Sequence, residues 1–256
     1  MENIQSATYK ATDSFKITKV STYEDFGKSD KELKQELRKT RRELGDFQDM
    51  LYAHNKYSVL ICLQGMDTAG KDSLIREVFK DFNVSGVQVH SFKVPTELEL
   101  DHNYLWRHYL VLPGKGKFGV FNRTHYENVL VTRVHPEYIL GERIPGIHSV
   151  EDIDQKFWDR RFEQINNFER HLFQNGTIIF KFFLNLSKEE QRQRLLRRLA
   201  LKRKHWKFSP GDLKERKLWD KYQFCYEEAI QNTTKDYAPW IVIPSDNKKA
   251  ARLILA

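Results

Sequence analysis

The segment Gly65-Met-Asp-Thr-Ala-Gly-Lys71 is a glycine-bounded loop ending in lysine, and it directly follows the apolar run 57–63 (YSVLICL) and Gln64. Such a loop turns tightly and points backbone N–H groups inward, where they cradle phosphate oxygens. Lys71 adds a full positive charge, and the helix expected after it adds the partial charge of its N-terminus. The chemistry on offer is phosphate binding and phosphoryl transfer, with Gly65, Met66, Thr68, Ala69 and Gly70 supplying the cradle. One position departs from the general pattern. Asp72 follows the lysine where a Ser or Thr hydroxyl would hold magnesium, and Ser73 comes one residue too late. The loop instead carries an acid within itself, Asp67. A carboxylate among anion-binding amides is repelled unless a cation lies between them. Asp67 is therefore either a metal-linked catalytic group or an outward-pointing acid at a helix start.

A second group of polar residues, Asn122-Arg-Thr-His-Tyr-Glu127, follows the short apolar run Phe118-Gly-Val-Phe121. Phosphate-loop enzymes place an Asp that supports magnesium on a neighbouring strand. Here that place holds Asn122, a neutral oxygen donor able to orient a metal-bound water. Arg123 would face the phosphates as an electrostatic clamp, and Glu127 is the nearest carboxylate. The plainer alternative is a strand-end turn with solvated charges. Further along, Arg194 and Arg198 lie four residues apart and share a helix face, with Arg197 beside them. Such a pair can grip a transferring phosphoryl group. The run 202–207 (KRKHWK) continues the positive charge, and Trp206 and Phe208 are expected to anchor it. His125, His135 and His148 are too dispersed for a metal site, neither cysteine lies near them, and they read as surface or supporting residues.

These residues need a scaffold of alternating elements. Apolar positions at helical spacing predict helices over 30–54, 71–81, 151–174 and 212–232, and a helical stretch at 104–109. Ser187, with Glu190 at the capping-box position, predicts a basic helix over 188–202. Apolar runs predict buried strands at 57–63, 87–94, 118–122, 177–186 and 240–243. Strands alternating with helices imply an α/β fold, a parallel sheet with helices on both faces. Residues 30–256 read as one phosphate-loop domain with a basic lid at about 187–212, preceded by a polar, loosely packed arm over 1–29.

The chain has 256 residues and 17 Phe, enough for one large core. Its two cysteines cannot form a disulfide framework. No leader-like segment and no apolar span of about 20 residues occurs, so a cytoplasmic protein without a membrane partner is expected. The net charge of +8 is local: residues 188–221 hold thirteen Lys and Arg against five acids, and the remainder is neutral. A concentrated basic patch calls for an anionic partner.

The motifs together resemble the family-2 polyphosphate kinases. The resemblance is carried by GMDTAGKDS at 65–73, YLWRHY at 104–109, FNRTHYENVLVTRVHPEY at 121–138, WKFSPGDLKER at 206–216 and APWIVIPSD at 238–246. It implies a thymidylate-kinase-like phosphate-loop core with a helical lid. The implied reaction is Mg²⁺-dependent, or Mn²⁺-dependent, phosphoryl transfer between inorganic polyphosphate and AMP or ADP, with ATP formed and guanine nucleotides as further candidates. Position by position, it implies metal on Asp67 and Asn122, and catalysis by Asp67, Lys71, Asn122, Arg123 and Arg198. It implies phosphate contacts from the loop with Asp72 and Ser73, and from Arg133, Arg194, Lys204 and Lys207. Glu127 and Arg107 would lie towards the nucleotide. The resemblance further implies a homo-oligomer, a tetramer or dimer, and a chain that usually continues past Leu253-Ile-Leu-Ala256. Two other readings compete. An ATP-dependent nucleotide kinase is opposed by Asp72 and Asn122 at the ordinary magnesium positions. An inert nucleic-acid binder is opposed by aromatics that form no stacking platform and by an intact phosphate loop.

Overall fold

The computed structural model describes residues 6–207 and 209–256, with side chains for all of these except 6, 7, 203 and 207. Its centre is a five-stranded parallel sheet in the order β2-β3-β1-β4-β5. The strands are β1 (Ser58–Gly65), β2 (Val87–Ser91), β3 (Phe118–Asn122), β4 (Thr177–Asn185) and β5 (Trp240–Pro244). All eight residues of β1 are buried, as its unbroken apolar run requires of a strand covered on both faces. From β1 the chain runs out to the edge strand β2 and returns to β3 beside β1, then crosses to β4 and β5 on the other side. The carboxyl end of β1 is thus the point where the winding reverses, the place where open α/β sheets bind ligands. Register fixes what meets there: Leu63 pairs with Asn122, and Gly65 with Leu184.

Ten α-helices surround the sheet among the described residues: α1 (Asp30–His54), α2 (Lys71–Val78), α3 (Glu97–Leu100), α4 (Trp106–Tyr109), α5 (Glu127–Val134), α6 (Gln155–Gln174), α7 (Lys188–Ala200), α8 (Pro210–Lys217), α9 (Trp219–Thr233) and α10 (Lys248–Leu255). Alternation along the strands feeds two apolar layers. Phe183, Trp240 and Val242 face one, with Val129, Phe157, Ile165 and Tyr226 from α5, α6 and α9. Phe182, Leu184, Ile241 and Ile243 face the other, with Leu74 and Val78 of α2, Leu51 of α1 and Ala251 of α10. No described helix is long and apolar enough to cross a membrane.

The elements differ from the sequence expectations mainly at their ends. The helix expected over 71–81 tightens to a 3-10 turn at Phe79–Asp81. The strand expected over 87–94 stops at Ser91, which pairs with Asn122, the last residue of its neighbour β3. The helix expected from 151 begins at Gln155, where Asp154 caps it by accepting from the Phe157 N–H. The segment expected as one helix over 212–232 is two helices, broken at Leu218, and the first opens with Pro210 after the Ser209 cap. The N-terminal arm is tied down more closely than its polar composition suggests. Phe15 is buried in the core, the Ala11 N–H donates to the Trp240 carbonyl, and Lys16 pairs with Glu227 of α9.

Candidate active site

The loop between β1 and α2 depends on its two glycines. A side chain at Gly65 would meet Leu184 of β4 at 3.0 Å, and Gly70 adopts φ +109° at the start of α2, a conformation side chains disfavour. Thr68 between them also has positive φ, at 67°. Lys71 folds back across the loop, and its Nζ donates to the Gly65 carbonyl at 2.5 Å. Burial lowers the Lys71 pKa and Arg123 lowers it further, while Asp67, Glu127 and Asp72 support its charge. The lysine therefore stands among three carboxylates and one guanidinium.

The end of β3 supplies the opposite wall. The Asn122 amide donates to Asp72 Oδ1 at 2.8 Å and to Ser91 Oγ at 3.3 Å. The two departures read from the sequence are thus one feature. An acid occupies the Ser/Thr position because an amide, not a second carboxylate, faces it. Asn122 Oδ1 is buried and takes no hydrogen bond from the described residues. Ser73 turns its hydroxyl to the Gly70 carbonyl at 2.9 Å. Arg123, in the left-handed region at φ 58°, reaches Asp67 Oδ1 at 3.2 Å and approaches Glu127 Oε2 at 4.0 Å. Burial opposes its charge, but Glu127 and Asp67 outweigh that and raise its pKa. Asp67, Lys71, Arg123 and Glu127 are brought together at the loop mouth.

Helix α7 approaches from above and carries Arg194 and Arg198. Arg194 was expected on phosphate. Instead its Nη1 donates to the Thr68 and Ala69 carbonyls at 3.0 and 2.9 Å, its Nη2 to the Ser245 and Asp246 carbonyls, and its Nε to Glu190. A guanidinium used at every nitrogen is a brace that holds the loop's carbonyls outward and so aims its N–H groups inward. Gln191 does the same for the Asp67 carbonyl at 3.1 Å. Arg198 pairs with Asp212 of α8 at 2.8 Å. Burial raises the Asp212 pKa, Asp67 raises it further, and Arg198 opposes both. The Arg198–Asp212 pair thus feels the charge of the loop acid. Lys204 is half-buried in the turn after α7, and the Lys207 side chain lies outside the described residues.

Other expected contacts lie elsewhere. Arg133, expected on phosphate, pairs with Glu228 and packs its guanidinium over Trp158, Phe162 and Phe224, which makes it a buried strut between α5, α6 and α9. Arg107, expected on the nucleotide, is committed to Glu99, to the Lys93 carbonyl and to the Phe92 ring. Trp206, expected to anchor the basic turn, is 78% exposed, and Phe208 lies outside the described residues. His125, expected as a surface or supporting residue, is fully buried and bonds Glu169 through Nε2 at 3.1 Å.

Sequence reasoning missed the network beneath that histidine. Glu169 of α6 and Lys181 of β4 form an ion pair at 2.7 Å with no exposure on either side. Glu169 also accepts from the Tyr126 hydroxyl at 2.7 Å, and Lys181 donates to that hydroxyl and to the Thr233 carbonyl. The network grips His125 and Tyr126, so it sets the turn that carries Arg123 on one side and Glu127 on the other. A lysine inside a run of six other apolar or aromatic strand residues was the available signal. Asp212, one of the five acids in the basic segment, and Lys248 were also missed.

Residues 27–256 match the family described as polyphosphate kinase 2 (PPK2). The chain belongs to the polyphosphate kinase 2 family. Relatives include an ADP-polyphosphate phosphotransferase of Rhodopseudomonas palustris, 47% identical over 227 residues that cover 88% of this chain and 78% of the relative. An AMP/ADP-polyphosphate phosphotransferase of Meiothermus ruber is 49% identical over 205 residues, covering 80% and 71%. The crystal structure of polyphosphate kinase 2 from Arthrobacter aurescens TC1 superposes with a TM-score of 0.88 at 35% identity, covering 97% of this chain and 84% of that one. As a polyphosphate kinase 2, the chain is a kinase, and its sheet is that of the phosphate-loop kinases.

Proposed function

We propose that this polyphosphate kinase 2 moves a terminal phosphoryl group between inorganic polyphosphate and AMP or ADP, with Mg²⁺, at the site around Asp67. The observation that carries this reading is the gathering of Asp67, Lys71, Arg123 and Glu127, with Arg123 between the two acids, at the mouth of a braced phosphate loop. In the synthetic direction, an acceptor phosphate oxygen forms a bond to the terminal phosphorus of the chain. The bond from that phosphorus to the bridging oxygen breaks, and the shortened chain leaves with the bridging oxygen. The acceptor is already an anion, so no strong base is needed, and the protein's task is to position two anions and neutralise charge on the equatorial oxygens. Lys71 and Arg123 do this from the loop, and Arg198 from the lid once Asp212 shares it. Glu127, at the first turn of α5, faces Arg123 and orients it towards the acceptor.

Magnesium fits the residues present. No described group of three His, Cys, Asp or Glu side chains could hold a metal alone. Magnesium is ordinarily bound by one or two carboxylates completed by water and substrate phosphates. Asp67 is a one-third exposed carboxylate at the loop, and Asn122 Oδ1 is a buried acceptor open to a metal-bound water. The ion would screen Asp67 from the phosphates and share their charge. We also infer a homo-oligomer, from the family resemblance. Guanine nucleotides remain acceptors to be tried.

The test supplies ATP or polyphosphate separately as donor, with AMP as acceptor. Product from polyphosphate alone supports the reading. Product from ATP alone would instead favour an ATP-dependent nucleotide kinase.

A further inference from the structure

Helix α8 carries Asp212, the partner of Arg198, yet all eight of its residues keep some exposure. Packing of an apolar face is what ordinarily holds a helix in place. Here polar side chains hold it instead: Asp212, Glu215 and Arg216, whose spacing puts them on one face. Asp212 pairs with Arg198 of α7 at 2.8 Å. Arg216 donates through Nη1 to the Lys188 carbonyl and to Gln191 Oε1, both at 2.7 Å, and Gln191 in turn braces the Asp67 carbonyl. Glu215 makes the link to the core. Its Oε2 accepts from the Tyr222 hydroxyl of α9 at 2.6 Å and from His135 Nε2 at 3.0 Å. Burial, and then the bond to Glu215, raise the Tyr222 pKa, so this hydroxyl keeps its proton and donates. His135 closes α5, the helix whose first turn holds Glu127 beside Arg123. Lys221 of α9 fixes the same end by donating to the Val134 carbonyl at 2.5 Å. One carboxylate oxygen thus joins α8, α9 and the helix that carries Glu127, a single helical turn from Asp212.

We propose that Glu215 is a positioning residue for phosphoryl transfer: by accepting from Tyr222 and His135 it fixes α8 against the core, and α8, through Asp212, sets where the Arg198 guanidinium stands. This rests on the reading above, in which Arg198 acts on the transferring group, and it names what fixes that arginine. Glu215 acts without touching substrate. Asp212 can orient Arg198 only as firmly as α8 itself is placed, and a misplacement of about 1 Å in such a group can cost about 10²-fold in rate.

The experiment measures kcat and the KM for AMP, with polyphosphate as donor, in wild-type protein, Glu215→Leu, Glu215→Gln, Arg198→Ala and the double variant Glu215→Leu with Arg198→Ala. Calorimetry shows that each is folded at the assay temperature. Glu215→Leu is expected to lower kcat about 10²-fold, with KM for AMP within about twofold. Glu215→Gln keeps an oxygen for both donors, which land on the same atom, and should return kcat to within about fivefold of wild type. In the Arg198→Ala background the same Glu215→Leu change should cost less than about threefold, because the group it positions is gone. A role confined to stability would instead give losses that multiply. Where Glu215→Leu melts below the assay temperature, Tyr222→Phe, which deletes one of the two donors, takes its place in the cycle with an expected loss of about tenfold. Losses that multiply, a Gln variant no better than the Leu variant, or a Glu215→Leu kcat within about threefold of wild type overturn the proposal and leave the polyphosphate reading intact. A loss under about tenfold for Arg198→Ala alone overturns it together with the role given to that arginine. Wild-type protein that transfers only from ATP overturns the donor reading, and the same cycle run with ATP then decides the role of Glu215.

Discussion

Replacing Lys181 by methionine isolates the buried pair that supports the Arg123–Glu127 turn. Lys181 Nζ donates to Glu169 Oε2 at 2.7 Å, the Tyr126 hydroxyl at 2.9 Å and the Thr233 carbonyl at 2.6 Å. Neither charged side chain has any exposure. Removing the lysine leaves an ionised carboxylate in the core with only His125 and Tyr126 as donors, a change that costs about 3–5 kcal/mol. For a domain of this size each kcal/mol lowers Tm by about 2–4 °C, so a fall of about 6–20 °C is expected in calorimetry. The double variant Lys181→Met with Glu169→Leu removes both charges together and should recover more than half of the loss, since apolar replacement of a buried pair is often close to neutral. The acid limb gives an independent reading. Burial opposes ionisation of Glu169, but Lys181 and His125 outweigh it and hold its pKa below the ordinary carboxylate value. Stability from this group is therefore full above the unfolded value of about 4.3 and is lost as pH falls through the lower folded value. A Lys181→Met variant melting within about 2 °C of wild type, or a double variant no more stable than the single one, would refute the claim that this pair holds the turn.

Other consequences follow from the same geometry. Asp67→Asn should lower kcat by about 10²–10³, the scale of losing one preorganised electrostatic partner, and leave Tm within a few degrees; near-wild-type turnover would remove Asp67 from the chemistry. Arg198→Ala should lower kcat by on the order of 10³ or more if its guanidinium reaches the transferring group, whereas a loss under tenfold would confine it to the Asp212 pair. Arg194→Lys keeps a charge but loses the planar fork that braces four carbonyls, so both activity and Tm should fall together, by contrast with Asp67→Asn. Asn122→Asp would set a carboxylate against Asp72 where the two now share a 2.8 Å hydrogen bond. Its melting temperature should drop without magnesium and recover with it, and an absence of that recovery would argue against metal at this wall.

Much of the site was legible before the fold was seen, because its signals are local. The strand–loop–helix order around Gly65 and Lys71 needs only an apolar run and two glycines, and β1 and α2 formed where the pattern placed them. Arg194 shows where local reading stops. Helical spacing put it on the face of Arg198, correctly, but could not show that this face meets loop carbonyls at one arginine and an acid at the next. That depends on how α7 lies over the sheet. Arg133 and Arg107 look like their neighbours in sequence and are consumed by packing, Arg133 against rings from two distant helices and Arg107 against Phe92 just past β2. The pairing of Asp72 with Asn122 is set by strand register, which brings residues fifty apart within 2.8 Å. The break at Leu218 and the split of the last long helix likewise had no marker strong enough to interrupt the apolar periodicity.

The central claim is that the donor is inorganic polyphosphate. Purified protein incubated with Mg²⁺, long-chain polyphosphate and AMP, with no added nucleoside triphosphate, should yield ADP and then ATP by chromatography, and the yield should vanish when polyphosphate is first hydrolysed. Absence of ADP under these conditions, with the protein folded and the same preparation active on ATP as donor, would contradict it.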